Sequence, residues 1–207
     1  VKERWKVRAA GPGDAEAIAT VHARSWQDAY RGILTDEEIA SRSLEDGIRK
    51  WRERLADPDL YVSVAQIAGE VIGFVSAGPA RDDDATPGTG EVGALYLVAR
   101  AWGLGIGKKL MEVATGCLAS KGYGDAVLWV LRDNVRARGF YERLGWRDDD
   151  GRKDCFGGMS APAVRYRQGL QVAAGEDPDA AGQNRRDVQD DPGTDQGAPG
   201  TGAAERP

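Results

Sequence analysis

The sequence predicts an α/β fold: a mixed, mostly antiparallel sheet of six to seven strands flanked by helices. Three observations carry this. Between Glu91 and Ser120 an apolar run with β-branched and aromatic residues, Val92 to Val98, gives way to apolar residues at Ile106, Leu110, Val113, Ala114, Cys117 and Leu118. That spacing is near 3.6, so a buried strand feeds an amphipathic helix. Tyr61 to Ile67 and Val71 to Ala77 are strand-like runs joined at Ala68-Gly69-Glu70, a hairpin signal. Strands alternate with helices along the rest, but this hairpin and another expected near the end argue for a mixed sheet over a doubly wound one.

The elements follow in order. Trp5 to Ala9 alternates weakly and reads as a first strand, ended by the Gly11-Pro12-Gly13 turn. Asp14 is placed to cap a helix whose apolar positions are Ala15, Ile18, Ala19, Val21, His22 and Trp26. Thr35 opens a short helix with Glu38 as its capping-box partner, and a further helix runs from about Leu44 to Leu55 before Asp57-Pro58. Gly78 to Gly90 is a long loop rich in Pro, Gly and Asp, expected to be a mobile surface loop, with a lid over a cleft as the alternative. Ala126 to Leu131 is a short apolar strand. From Asn134 a helix carries Ala137, Phe140, Tyr141 and Leu144 and stops at Gly145. Trp146 then starts a strand, Gly157-Gly158 forms a turn, and Val164 to Arg167 is the last strand.

Composition bounds the function. After Leu170 the chain has no Leu, Ile, Phe, Tyr or Trp, so residues 171–207 are expected to be a disordered acidic tail rich in Gly, Pro and Asp. That tail carries the whole net charge of −5, leaving residues 1–170 neutral as one domain. A neutral body argues against general nucleic-acid binding, which rests on excess Lys and Arg. Cys117 and Cys155 have neither disulfide nor metal spacing, so no metal is expected. His22 is the single histidine and no G-x-S-x-G accompanies it. No apolar run is long enough to span a membrane, and the charged start V-K-E-R-W-K-V-R is unlike a signal peptide, so a cytoplasmic protein is expected.

Gly103, Gly105 and Gly107 stand at every second position where strand turns to helix, with Lys108 and Lys109 following. Free N–H groups at a helix start, the positive end of the helix dipole and glycines that allow close approach make an anion cradle. Neither common phosphate loop fits. G-x-G-x-x-G meets Lys108 or Leu110 where it needs its last glycine, and G-x-x-x-x-G-K-[ST] meets Trp102 and Lys109. The stretch resembles the acyl-CoA signature of the GNAT superfamily of N-acyltransferases, [RQ]-x-x-G-x-[GA] after a Pro-containing loop. Gly105 and Gly107 match its fixed positions, and Gly103 matches a glycine frequent in it; Ala99 stands in place of Pro and Trp102 in place of Arg or Gln. The second GNAT signature, N-x-x-A-x-x-F-Y-x-x-L-G-[FW], is matched at every fixed position by residues 134–146.

The resemblance implies the GNAT fold over residues 1–170 and transfer of an acetyl group from acetyl-CoA to an amine. By carry-over, Leu95, Leu97 and Ala99 offer backbone groups to pantetheine, and Gly103, Leu104, Gly105, Ile106, Gly107 and Lys108 hold the pyrophosphate. Asn134 contacts the cofactor and fixes its helix. Tyr141 is the general acid for the departing thiolate. Glu91 stands where some members keep a carboxylate that deprotonates the amine through water; the plain alternative is a solvated residue at a strand end. Ser25 to Thr35 is similar to a stretch of a bacterial branch that crosses the acceptor cleft, which makes Trp26 and Tyr30 substrate residues; hydrophobic packing of Trp26, Tyr30, Ile33 and Leu34 explains the same pattern. The acceptor implied is a primary amine on a small molecule, with a protein N-terminus or lysine, or a non-catalytic acetyl-CoA binder, as alternatives. A homodimer is compatible with the resemblance.

Overall fold

Among the described residues, seven strands form one sheet in the order β1-β2-β3-β4-β5-β7-β6, and a single junction in it is parallel. The computed structural model describes residues 5–30, 33–35, 37, 43–155 and 161–171. The strands are β1 (Trp5–Ala9), β2 (Tyr61–Ile67), β3 (Glu70–Pro79), β4 (Thr89–Leu97), β5 (Asp125–Leu131), β6 (Arg147–Lys153) and β7 (Ala163–Gly169). The helices are α1 (Ala15–Tyr30), α2 (Leu44–Leu55), α3 (Ile106–Ser120) and α4 (Val135–Arg143). The expected cap at Glu38, the Gly157-Gly158 turn and the acidic tail from 172 onward lie outside the described residues.

β1 to β4 form an antiparallel meander, as the hairpin signal requires, and β7 returns between β5 and β6. Helices cover both faces. Phe74 on β3 meets Trp51 of α2 and His22 of α1. A Cβ on Gly90 of β4 would instead strike Leu118 of α3. Because neighbouring side chains on a strand alternate, Glu91 and Tyr96 belong to the α1 face and Val92 and Leu97 to the α3 face, with Gly93 as the extra residue of a bulge opposite Ser76 and Ala77. α3 buries Ile106, Leu110, Met111, Ala114 and Leu118, the stripe that its periodicity marks.

Two expectations change. Asp14 does not cap α1 directly; it sits in a 3-10 turn, Pro12–Asp14, where its carboxylate accepts from Gly11 N–H at 2.7 Å and pairs with Arg8 at 2.7 Å. The loop after β3 is tied down. Asp82 accepts from the Trp129 indole at 2.9 Å, from Lys153 at 2.7 Å and from Arg165 at 3.2 Å. Asp84 takes both ends of the Arg165 fork at 2.6 and 2.8 Å, while Arg165 also reaches Asp149 at 2.9 Å. These bonds fasten the loop onto β5, β6 and β7, an arrangement of acidic loop residues against strand cations that no local pattern announces.

Candidate active site

β4 and β5 pair only over Thr89, Gly90 and Glu91, opposite Asp125, Ala126 and Val127, and then part. The Gly93 bulge lies two residues past the last pair, and bulges bend the strand that carries them. A cleft of about 680 Å³ opens in the gap and reaches both faces of the sheet. Ser25, Asp28 and Tyr30 of α1 line one side; Gly103, Gly105, Asn134 and Tyr141 line the other.

At the glycine turn, Gly105 is the residue before α3 and has φ +80°, a left-handed backbone that accounts for glycine there. Gly107 lets α3 approach α4: a Cβ on it would lie 3.4 Å from the Phe140 ring. Trp102, in place of the expected cation, donates its indole N–H to the Leu97 carbonyl at 3.1 Å. Its ring is covered by the Arg136 guanidinium, 3.3 Å from the centroid. A positive charge therefore does stand at this turn, supplied from α4, and with Lys108 it lines the cleft.

α4 is fixed at its start by Asn134, whose side-chain oxygen accepts from Ala137 N–H at 3.1 Å. Two turns on, Tyr141 is 9 % exposed and lines the cleft. Burial, and next the nearby Tyr96, push its phenol well above the ordinary tyrosine range. It is accordingly protonated, and so in the donor form, at any working pH.

The other expected residues divide. Leu95, Leu97, Gly103, Gly105, Gly107, Lys108 and Tyr30 line the cleft. Ala99 lies outside it in a 3-10 turn, its carbonyl taken by Trp102 N–H at 3.1 Å. Leu104 is exposed, and Ile106 faces the core, leaving its backbone for any ligand. Trp26 is packed behind the cleft wall, donating to the Tyr96 hydroxyl at 3.1 Å, so packing describes Trp26 and Leu34 whereas Tyr30 and Ile33 reach the cleft. Glu91 is not a solvated strand end. It is buried, and Arg81 holds both its oxygens at 2.7 and 3.0 Å in a neighbouring cavity of about 290 Å³. Gly93 lines both cavities, and a Cβ there would be 3.9 Å from the Glu91 carboxylate.

Ser25, Asp28, Tyr96, Trp129 and Arg136 line the cleft without being singled out by any sequence pattern, although Ser25 and Asp28 fall within the Ser25–Thr35 stretch. Arg136 sits inside the second motif at a variable position, and the others are distinguished only by which face their element turns to the gap. Among the described residues, no group of His, Cys, Asp and Glu could hold a metal, and no helix is long and apolar enough to cross a membrane.

Residues 22–146 match the profile of the acetyltransferase (GNAT) family. The chain is 31% identical over 173 residues to a probable N-acetyltransferase of Mycobacterium tuberculosis, covering 78% of this chain and 92% of that one. It is 34% identical to a mycothiol acetyltransferase of Amycolatopsis mediterranei over 65% of this chain but only 44% of that protein. Among solved structures, the PaiA N-acetyltransferase of Thermoplasma acidophilum in complex with coenzyme A shares the fold, with a TM-score of 0.63 at 24% identity over 80% of this chain and 99% of that one. A family match across more than half the chain agrees with the parted strands, the glycine turn and the mixed sheet: the protein belongs to the GNAT family of acetyltransferases and is an acyltransferase.

Proposed function

We propose that the protein moves an acetyl group from acetyl-CoA to a primary amine on a small molecule, by direct attack within a ternary complex. The observation that carries this reading is the gap between β4 and β5, with a cationic glycine turn at one end and a buried phenol beside it. Backbone groups of Leu95 and the Leu97 N–H face the strand edge beyond the last β4–β5 pair and suit an extended pantetheine arm, bound as an added strand; the Leu97 carbonyl already accepts from Trp102. Gly103 to Lys108, with Arg136, take the pyrophosphate.

The reaction then balances simply. The acceptor ammonium sheds one proton, its nitrogen attacks the thioester carbonyl, the C–S bond breaks, and the new amide nitrogen gives up a second proton. Tyr141 protonates the thiolate, so one proton is released overall as amide and free CoA form. Glu91, next to the gap at Gly93, is the proposed relay for the first proton through water, once Arg81 shares its carboxylate with that water.

Two substitutions test the cofactor grip. Gly105→Ala is strained by its φ of +80° and puts a methyl where the phosphates approach; Gly122→Ala, at φ +88° in the turn after α3, carries similar strain away from the cleft. Both are expected to lose about 1–2 kcal/mol of stability. Gly105→Ala alone is expected to weaken acetyl-CoA about tenfold or more in calorimetry, and equal affinity in the two variants would remove the cradle. Arg136→Ala is expected to weaken acetyl-CoA roughly 10–100-fold, the range for a charged hydrogen bond, and parent-like affinity would show that the Trp102-stacked cation serves packing only.

A further inference from the structure

Among the described residues, Ser25 Oγ is the buried side-chain polar atom left without a hydrogen bond. A helical hydroxyl ordinarily bonds back to the carbonyl four residues earlier, as Thr20 does to Glu16 at 2.8 Å and Thr115 to Met111 at 2.9 Å. Ser25 does not, and it lines the cleft, at 2 % exposure. Rotation about one bond presents its hydroxyl to whatever occupies that space. Three residues on, hence on the same helix face, Asp28 lines the same cleft and forms no ion pair within the described residues.

Lys108, Arg136 and Arg143 belong to α3 and α4, where the phosphates are placed, and the one carboxylate lining that side, Asp133, is paired with Arg132 at 3.2 Å. Among the described residues, Asp28 is the unpaired carboxylate of the lining, on the α1 wall opposite. Tyr30 and Tyr96 stand on that wall with their hydroxyls 3.2 Å apart, and Trp129 also lines the cleft. Aromatic faces of this kind accept alkyl chains and cations alike.

We infer that Ser25 and Asp28 form an acceptor subsite for a second protonated amine, so that the preferred acceptor is a diamine or another amine bearing a further positive charge. This rests on the acetyl-transfer reading above. The reacting nitrogen must be uncharged when it attacks, so a standing carboxylate beside the cleft is matched by a different nitrogen, one that keeps its proton. The serine hydroxyl then accepts from that ammonium, and the chain between the two nitrogens lies along Tyr30 and Tyr96.

The test uses the full chain with acetyl-CoA and three matched probe series of three to six carbons: α,ω-diamines, monoalkylamines and ω-amino acids, with free thiol as the readout. The diamine is expected to exceed the monoamine of equal length by about three- to fivefold in kcat/KM, with the ω-amino acid lowest. Asp28→Asn is expected to bring the diamine-to-monoamine ratio close to one, and Ser25→Ala to lower it through KM. The ratio is the quantity that counts, because a general loss of folded enzyme leaves it unchanged. A ratio near one in the parent, or one unaltered by Asp28→Asn, overturns the subsite. So does a preference for the ω-amino acid, which would move recognition to Arg54 and Arg81 in the smaller cavity. Calorimetry with acetyl-CoA separates the two levels: if it binds and no probe amine reacts, the subsite falls while the cofactor site stands, and if it does not bind, the acetyl-transfer reading falls first.

Discussion

A Tyr141→Phe enzyme is expected to lose roughly 10²–10⁴-fold in kcat with acetyl-CoA affinity nearly unchanged, the range of general acid catalysis. The substitution keeps the ring, which packs edge-on to Phe140 at 5.3 Å between centroids, and removes only the hydroxyl. Without a donor, an alkyl thiolate must leave with full charge in a part of the cleft as little exposed as Tyr141 itself. The raised phenol also fixes the shape of the pH profile. The donor form is present throughout pH 6 to 10, so Tyr141 contributes no falling limb there, and any rise in rate with pH belongs to loss of the acceptor's proton. Turnover of the best amine across that range, in parent and variant, checks both points. A variant within about threefold of the parent, where chemistry limits the rate, would assign thiolate protonation to water or to the substrate.

Arg165→Met is expected to cost about 3 kcal/mol of folding stability, the low end for breaking a buried pair, because it strips Asp84 of its cation and leaves Asp82 with Lys153 alone and Asp149 with Arg167 alone. Arg165 is 8 % exposed and holds Asp82, Asp84 and Asp149 together. Across a domain of this size that is a fall in Tm of roughly 6–12 °C. Burial pushes the carboxyls of Asp82 and Asp149 up, but the bonds they accept outweigh it and hold both below the ordinary range. A depressed folded-state pKa contributes stability that is complete above the unfolded value of about 3.9 and is lost as pH falls through the folded one. The gap between parent and variant should therefore be constant from pH 8 to 5 and narrow as pH drops from about 4 toward 2. Thermal unfolding over that range measures it, and a difference below about 1 kcal/mol at pH 7 would show that the network adds nothing beyond surface ion pairs. The loop it fastens also carries Arg81 onto Glu91, so the same variant is expected to loosen the Arg81 wall of the smaller cavity.

The amino-acid sequence alone determined the elements, and with them most of the proposed cofactor half of the site. Periodicity marks β4 and α3, the alternating glycines mark the turn between them, and Asn134 to Trp146 spells out a helix that carries Tyr141 in its last turn. All of these are local, set by side-chain spacing of two or 3.6 and by which residues tolerate a left-handed backbone. What only the tertiary structure decided is non-local. The return of β7 between β5 and β6, the parting of β4 from β5 and the fastening of the Asp82 loop depend on pairing between segments far apart in the chain. The proposed acceptor half of the site belongs to this class: Ser25, Asp28 and Tyr30 meet Tyr96 and Trp129 because α1 crosses the gap, and Arg136 stands at Trp102, where a cation is expected, because the start of α4 faces the glycine turn. Helical spacing says that a residue lies on a face; it takes the packed sheet to say what that face looks at.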